Sequence, residues 1–448
     1  MGRIFNHLTQ LLRSLEVKAK ILMMNDSKST ICPPDVVRGM KDLDRTKFVK
    51  TVTVPSILVN RTDVPQVLPV VKKSLLKVPK IKGMIDSDDS SKKLILLNPE
   101  QVKTFSDLPE ESRNVLGKLG YDIKFADVPL SYENFSADDV LKAVLPADKE
   151  SCASYSVIGH IIQINLRDHL LGYEKLIGQV LLDKVPVAKT VVCKTDAIDN
   201  TFRTFAINIV CGEDNLETTV KEHGCTYELD FSKVYWNSRL STEHMRIANR
   251  LKKGSILYDV FAGIGPFSIP AAKRGCTVLA NDLNPHSFKY LERNIKLNKV
   301  TGRVTTFNKD GGDFLRTDVK EHLLEQWKKE GELDAHITMN LPALAVTFLK
   351  HLKGLLPEEV QGTKEPPTVH VYCFTKNAED PAASAVAMVE ENLGAELGTC
   401  LKKVHNVRTV SNMKEMMAVS FSVPPQILFA PEPEGPPAKK PCISVSDS

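Results

Sequence analysis

Four clusters in the second half of this chain have residue types and spacing that could do chemistry. The first is the stretch Ile256–Pro285, ILYDVFAGIGPFSIPAAKRGCTVLANDLNP. Gly263 and Gly265 let a backbone come close to a ligand, and Asp282 follows Gly263 by about 20 residues, the separation at which a carboxylate can hold both hydroxyls of a ribose. The turn reads Ala262-Gly263-Ile264-Gly265-Pro266, so Pro266 stands where a pyrophosphate needs a free helix N–H. That disfavours a dinucleotide and favours a nucleoside cofactor without phosphates, such as S-adenosylmethionine. An αβ unit without a ligand is the plain alternative. The second cluster is Phe307-Asn308-Lys309-Asp310, whose Asp310 carboxylate could take the exocyclic amine of adenine or be a solvated turn aspartate. The third is Asn340-Leu341-Pro342. The amide of Asn340 both donates and accepts, so it can read a base edge; as a turn asparagine it would be unremarkable. The fourth is Tyr235-Trp236-Asn237-Ser238-Arg239-Leu240-Ser241-Thr242-Glu243-His244. Here Glu243 could be a general base or simply a glutamate in a capping turn.

The elements that must position these groups follow from periodicity. Ile256–Phe261 and Cys276–Asn281 read as buried strands, with a helix over 267–273 opening just after Pro266. The alternation continues: helix 286–298, strand 303–307, helix near 318–330, strand 334–339, helix 343–355, strand 368–374, helix 380–393 and a last β-prone piece at 416–423. Helices between strands predict a parallel, doubly wound α/β sheet of Rossmann type. All the clusters after Gly263 then fall at carboxyl ends of strands, where open α/β sheets bind ligands. Ser241 or Thr242 is expected to cap a helix through Met245 to Leu251, with Glu243 and His244 in its first turn.

At 448 residues, 42% hydrophobic and 25% charged, the chain can build two or three ordinary cores. Lys+Arg exceed Asp+Glu by 59 to 55, so any basic surface is local. The nine cysteines have no C-x-x-C pair and read as free thiols, not a disulfide frame or zinc site. No apolar run is long enough to span a membrane. Residues 1–32 open with Ile4, Phe5, Leu8, Leu11, Leu12 and Leu15 on one helical face among basic residues, which resembles a mitochondrial targeting segment, a surface helix being the alternative. Two small α+β domains are expected over 33–125 and 126–232, a catalytic domain over 233–423 and a disordered tail over 424–448. In the first, Phe48–Val59 reads as a strand interrupted by Pro55, Ile85–Lys93 as a loop, and Lys72, Lys73, Lys77, Lys80 and Lys82 as a basic run that is either a solvated face or an RNA contact. In the second, strands are expected at 156–165, 185–193, 205–210 and 225–231, with β character at 234–236 and a helix over 169–182. Pro437-Ala438-Lys439-Lys440-Pro441 is weak evidence for nuclear import.

Together these segments resemble the archaeal and eukaryotic tRNA guanine-N1 methyltransferases, which act on the guanosine 3′ of the anticodon. The residues that carry the likeness are IGHIIQINLRDHLL at 158–171, IGQVLLDK at 177–184, DFSKVYWNSRLSTEHMRI at 230–247, DVFAGIGPFSIPAAKRG at 259–275, NDLNP at 281–285 and MNLP at 339–342. The likeness runs from Pro33 to about Val423. It implies an N-terminal domain that inspects the outer corner of the tRNA, and middle and Rossmann-type class I methyltransferase domains that bind the anticodon region. It implies that Tyr235, Phe261, Asp282, Leu283, Asp310 and Gly311 line an S-adenosylmethionine site with His244 at its edge, alongside Gly263, Gly265 and Asn340. It implies Glu243 as the general base, Arg203 over the guanine O6, and Asn340 with Pro342 framing the base. Guanine N1 is a poor nucleophile until its proton leaves; a desolvated Glu243 with a raised pKa would remove it, and Arg203 would stabilise the charge that spreads to O6. Two departures stand out: Ser238 replaces the usual proline, which could loosen the turn holding Glu243, and Val407–Asn412 differs from the usual version.

The family reading further implies a monomer, tRNA as partner, cytosolic and mitochondrial tRNAs as substrates with the first step toward wybutosine in phenylalanine tRNA, and mitochondrial-matrix, cytoplasmic and nuclear pools. Two rivals remain: a tRNA aminocarboxypropyltransferase on the same scaffold, disfavoured by Asn340-Leu341-Pro342 and Glu243, and an inactive tRNA-binding protein, disfavoured by the intact polar set. Pro266 argues against a dehydrogenase.

Overall fold

The computed structural model describes residues 30–146, 155–194, 207–362, 364–376, 379–411 and 414–431. These divide into two compact units. The first takes its described residues from Met1–Tyr155, Ile164–Val192 and Ile209–Gly212, and the second from Ser156–Gln163, Cys193–Asn208 and Glu213–Ser448. The stretch 126–232, expected as one middle domain, is thus shared between them. Most of the targeting-type segment and Arg203 lie outside the described residues, as does the tail beyond 431.

In the first unit, strands β1 (Lys50–Asn60), β2 (Met84–Asp86), β3 (Lys92–Leu96) and β4 (Lys124–Leu130) form an antiparallel sheet in the order β2-β3-β1-β4. Pro55 does not interrupt β1. Its carbonyl accepts from Leu97 N at 2.8 Å, beyond the last β1–β3 pair at Ser56 and Leu96, so the donor it lacks would have faced a stretch where that ladder has ended. The stretch read as a loop over 85–93 contributes to two strands instead, because β2 and β3 pair across a short turn. Ile57, Val59, Val67, Val71, Ile95 and Leu116 make the core beneath. The helix Ala137–Val144 opens where Ser136 predicted it, with a reciprocal cap: Ser136 Oγ accepts from Asp139 N at 3.2 Å and Asp139 accepts from Ser136 N at 3.0 Å.

Next along the chain come β5 (Tyr155–Ile158), β6 (Ile161–Ile164), the helix Glu174–Lys184, β7 (Thr190–Lys194) and β8 (Ile207–Gly212). Residues 185–189 turn instead of extending, with Ala188 N bonded to the Val185 carbonyl. The second unit opens with a hairpin of β9 (Glu217–Glu222) and β10 (Cys225–Asp230); β9 escaped the sequence reading because half of its residues are charged. Residues 234–236, expected to have β character, are not a strand.

The main sheet of the second unit has seven strands: β11 (Ile256–Asp259), β12 (Thr277–Asn281), β13 (Val304–Phe307), β14 (Ala335–Met339), β15 (Thr368–Lys376), β16 (Leu401–Ser411) and β17 (Lys414–Ser422). Their order is β13-β12-β11-β14-β15-β17-β16. The first five are parallel, as expected, with helices between them. The last two are antiparallel, which the purely parallel reading missed. β16 is an edge strand whose polar sequence LKKVHNVRTVS hides its period and protects an open edge. One face of the sheet packs Tyr258, Ile337, Val369 and Phe421 against Phe314, Leu349 and Trp327.

Two helices differ from expectation. Residues 343–355 give a 3-10 helix, Ala345–Leu352, whose buried Val346, Leu349 and Leu352 repeat every third residue. The tail is ordered at its start: Pro425–Leu428 is helical, and Leu428 and Phe429 are buried in the main core because Leu356 N and Gly354 N bond to carbonyls of that turn.

Candidate active site

Parallel strands put all their carboxyl ends on one edge, and that edge carries most of the chemistry-bearing residues. Gly263 has φ +56° and Gly265 φ +101°. A Cβ at Gly265 would come within 2.9 Å of Ile269 and Leu291, so only glycine fits; a Cβ at Gly263 would meet nothing within 4 Å, so this backbone faces open space. Gly263 N donates to Asp282 Oδ2 at 2.8 Å, and Asn284 N donates to Oδ1 at 2.9 Å. Burial raises the Asp282 carboxyl to about 6 against those bonds. Asn281 ties three strand ends together: its Nδ2 donates to the Val260 and Lys309 carbonyls, and its Oδ1 accepts from Lys309 N. Asn308 Nδ2 donates to the Asp282 carbonyl at 2.6 Å. The Asp282 and Asp310 clusters are therefore brought together.

Asp310 caps the short helix Gly311–Phe314 through Oδ1, which accepts from Gly312 N and Asp313 N. Gly311 lies against Phe261, where a Cβ would sit 2.8 Å from the ring. Phe261 in turn packs edge-on to Phe348 at 5.0 Å. Tyr235 (52% exposed) and Leu283 (43%) are left open to solvent although both are large and apolar. Asn284 Nδ2 donates to the Lys233 carbonyl, which ties the segment carrying Tyr235 to the loop carrying Leu283.

Beneath this turn lies Asp259, fully buried, which the sequence reading quoted but did not single out. It accepts from Ser268 Oγ at 2.6 Å and Thr338 Oγ1 at 3.0 Å. Burial lifts its carboxyl to about 6, with Asp282 adding to the rise. Its signal was present in the sequence: an acid at the end of an otherwise apolar strand has to be satisfied by something.

Glu243 sits in the helix Ser241–Ala248 and is 4% exposed. The expected cap is different. Asn237 Oδ1 accepts from Arg239 N and caps a 3-10 turn, Ser238–Leu240, that leads into the helix, and Ser241 is already helical. Arg246, one turn along, forks onto Glu243 with Nε–Oε2 and Nη2–Oε1 both at 2.5 Å. The Tyr372 hydroxyl donates to Oε1. His405 Nε2 lies 3.6 Å from Oε2. Nothing in the sequence separated Arg246, Tyr372 and His405 from ordinary core or surface residues, because they come from three elements far apart in the chain. Among the described residues, Arg246 Nη1 and Asn340 Oδ1 are buried without a hydrogen-bond partner.

Strand register relates Glu243 to Asn340. Met339 pairs with Val371, so Asn340, just past the end of β14, is level with Tyr372 on β15. Pro342 follows at the turn whose Leu341 carbonyl accepts from Leu344 N and Ala345 N. His244, expected at the edge of the cofactor site, follows Glu243 in the same helix. It is 3% exposed, its Nδ1 is 2.7 Å from Glu222 Oε1, and its ring stands edge-on to Phe267 at 4.8 Å. Arg203 lies outside the described residues. Among the described residues there is no cluster of three or more His, Cys, Asp or Glu side chains suited to a metal, and no helix is long and apolar enough to cross a membrane.

Comparison with known proteins bears on this geometry. The TRM5/TYW2 methyltransferase domain model matches residues 218–380, and the TYW2 N-terminal domain model matches 137–215. A tRNA (guanine(37)-N(1))-methyltransferase of Aedes aegypti is 46% identical over 413 residues, 92% of this chain and 73% of that one. One of Drosophila melanogaster is 45% identical over 431 residues, 94% and 90% of the two chains. The crystal structure of Trm5b from Pyrococcus abyssi superposes with a TM-score of 0.56 at 25% identity, covering 82% of this chain and 99% of that one.

Proposed function

Since the chain belongs to the tRNA (guanine(37)-N(1))-methyltransferase family, we propose that it methylates N1 of the guanine 3′ of the anticodon in tRNA, with S-adenosylmethionine as the donor. The observation that carries this reading is the buried Glu243 carboxylate, bonded to Tyr372, which is level by strand register with Asn340 and its unpartnered Oδ1, on the edge that also holds the Gly263–Asp282 cradle.

The residues fit the cofactor. Open space over Gly263, a carboxylate at Asp282 for two ribose hydroxyls, and the exposed apolar faces of Tyr235 and Leu283 suit a nucleoside without phosphates. Asp310 keeps Oδ2 free of donors among the described residues and suits an adenine amine. S-adenosylmethionine supplies a methyl group on a positively charged sulfur. Glu243 takes the N1 proton, its carboxylate held in place by the fork to Arg246. Asn340 Oδ1 accepts an N–H of the base, which supplies the partner that this buried atom lacks, and Pro342 frames the ring. Arg203 is assigned to O6 on the family resemblance. Lys72, Lys73, Lys77 and Lys82 are exposed and suit phosphate contacts to tRNA. The basic, acid-poor start of the sequence supports a mitochondrial pool beside cytoplasmic and nuclear ones.

The test uses unmodified tRNA carrying G at position 37 and methyl-labelled S-adenosylmethionine, with product nucleosides identified by mass. The expected product is 1-methylguanosine, with Glu243→Gln lowering kcat by roughly 100-fold or more and Asn340→Ala lowering it less. Gain of a larger group on a precursor tRNA would instead indicate aminocarboxypropyl transfer, and tight tRNA binding with neither product would indicate a binding protein.

A further inference from the structure

The environment of Glu243 raises a problem for a base. Its carboxylate is buried, forked by the Arg246 guanidinium and bonded by Tyr372. Both carboxylate oxygens are already engaged by these groups, so a proton taken from the substrate has to be handed on before Glu243 can act again. The next acceptor must lie close by and also reach water.

Among the described residues, one group meets both conditions. Tyr372 pairs with Ala418, and Ala418 pairs with His405, so Tyr372, Ala418 and His405 form one row across β15, β17 and β16. Residues directly opposite in an antiparallel ladder share a face. The small Ala418 between the two larger side chains leaves room for the Glu243 carboxylate to reach both. His405 Nε2 approaches the Oε2 side of the carboxylate, opposite the oxygen that Tyr372 occupies, and the His405 side chain is 35% exposed while that of Glu243 is 3% exposed.

We propose that His405 is a proton-relay residue that acts through Glu243, carrying the proton removed from the substrate base out to solvent. The inference rests on the guanine-methylating reading above. In the step, the substrate N–H bond breaks and the proton forms an O–H bond at Glu243 Oε2, while the electron pair stays on the base nitrogen that takes the methyl group. The proton then passes from Oε2 to the lone pair of His405 Nε2, and the Nδ1 proton of the same ring leaves to water. Glu243 is again an anion and His405 again neutral, as the Nε2–H tautomer; exchange of the ring proton with water then returns it to Nδ1, so charge, protons and the lone pair on Nε2 are all restored. The groups that face the imidazole are Glu243, Arg246 and Arg250 from the helix side and Lys403 from its own strand. Burial first, then Arg246, lowers the His405 pKa below 6.5, while Glu243 acts in the opposite direction. A ring neutral at physiological pH has the lone pair that a relay needs.

The test measures the single-turnover rate constant from pH 5.5 to 9 on the full chain, with unmodified G37 tRNA and labelled S-adenosylmethionine, for the wild type, His405→Ala and His405→Gln. Both variants are expected to lose roughly 10- to 100-fold in the chemical step, to bind tRNA and cofactor within about twofold of wild type, and, for His405→Ala, to regain rate with added imidazole. A rate within twofold of wild type, or a loss that imidazole does not restore, overturns the relay. A second readout needs no cofactor. The His405 imidazole, followed by NMR, should titrate at lower pH in Glu243→Gln, because the anion that favours its protonated form is gone while Arg246 remains; an unchanged titration overturns the coupling. Failure of the wild type itself to form 1-methylguanosine overturns the functional reading, a result distinct from a normal wild type with indifferent His405 variants.

Discussion

Two aspartates show how place sets the work of a side chain. Asp259 and Asp282 end adjacent strands, and burial raises both carboxyls to about 6. Asp259 spends its oxygens on Ser268 and Thr338 inside the protein. Asp282 instead points its backbone bonds at the glycine turn and stays within reach of solvent. Only the ionised form of Asp282 can accept from two ribose hydroxyls. Cofactor affinity is therefore expected to be flat above pH 6 and to fall by about tenfold per unit below it. Calorimetric titration at pH 7.5, 6 and 5 checks this: Asp282→Asn should bind weakly with little pH dependence, and a wild-type Kd that does not change down to pH 5 would contradict the role. Asp282 was legible from its distance to Gly263. Arg246 was not, because a fork at i and i+3 looks like any surface ion pair until the helix is found lying over a sheet.

Among the elements, the turn before the Glu243 helix was expected to be loosened by Ser238. It is not loose: Asn237 Oδ1 accepts from Arg239 N, Leu240 N bonds to the Asn237 carbonyl, and Ser241 N to that of Ser238. Ser238 is the first residue of that turn, and Asn237 before it is extended at φ −143° and ψ 100°. The first position of a helical turn suits proline, and an extended residue suits the place before it. Ser238→Pro is thus expected to stabilise the fold by about 0.4–1 kcal/mol through the unfolded state and to leave methyl transfer unchanged within twofold. A lower melting temperature would show that the turn needs the serine. Periodicity located nearly every strand of the main sheet, because β11, β12 and β14 are buried on both faces and read as continuous apolar runs. It failed at β16, where an edge strand carries lysine, arginine and asparagine.

For the whole molecule, the sheet face under the Glu243 helix is polar to an unusual depth. His336 and His370 stack at 5.4 Å; Asp334 is bonded to His336, and Ser420 to His370. Burial, then His336 and Arg246, hold the His370 pKa well below its ordinary value. Such a histidine contributes stability that is full above about 6.5 and is lost as pH falls below it, because the unfolded chain takes up the proton first. Asp259 acts the other way: with its folded pKa raised to about 6, it adds stability as pH falls from 6 toward 4. The histidine effect sets in first. Urea unfolding should show wild-type stability dropping between pH 7 and 5.5 by up to about 1.4 kcal/mol per unit for each buried histidine. His370→Asn should be less stable at pH 8 yet flatter over that window; parallel slopes would contradict this account.

The sequence by itself determined the βαβ core, its ligand edge and the class of cofactor, since these depend on local period, on glycine geometry and on a carboxylate at a set distance. Residue order alone also placed Glu243 and Asn340 among the candidates. Only the tertiary structure decided that Tyr372 and His405 stand in one row over Ala418, that Arg246 forks onto Glu243, and that His244 bonds Glu222. The contacts of Glu243 with Tyr372 and His405 join residues 129 and 162 positions apart. The register of antiparallel strands at the end of the sheet creates them, and no pattern within one stretch of chain encodes that register.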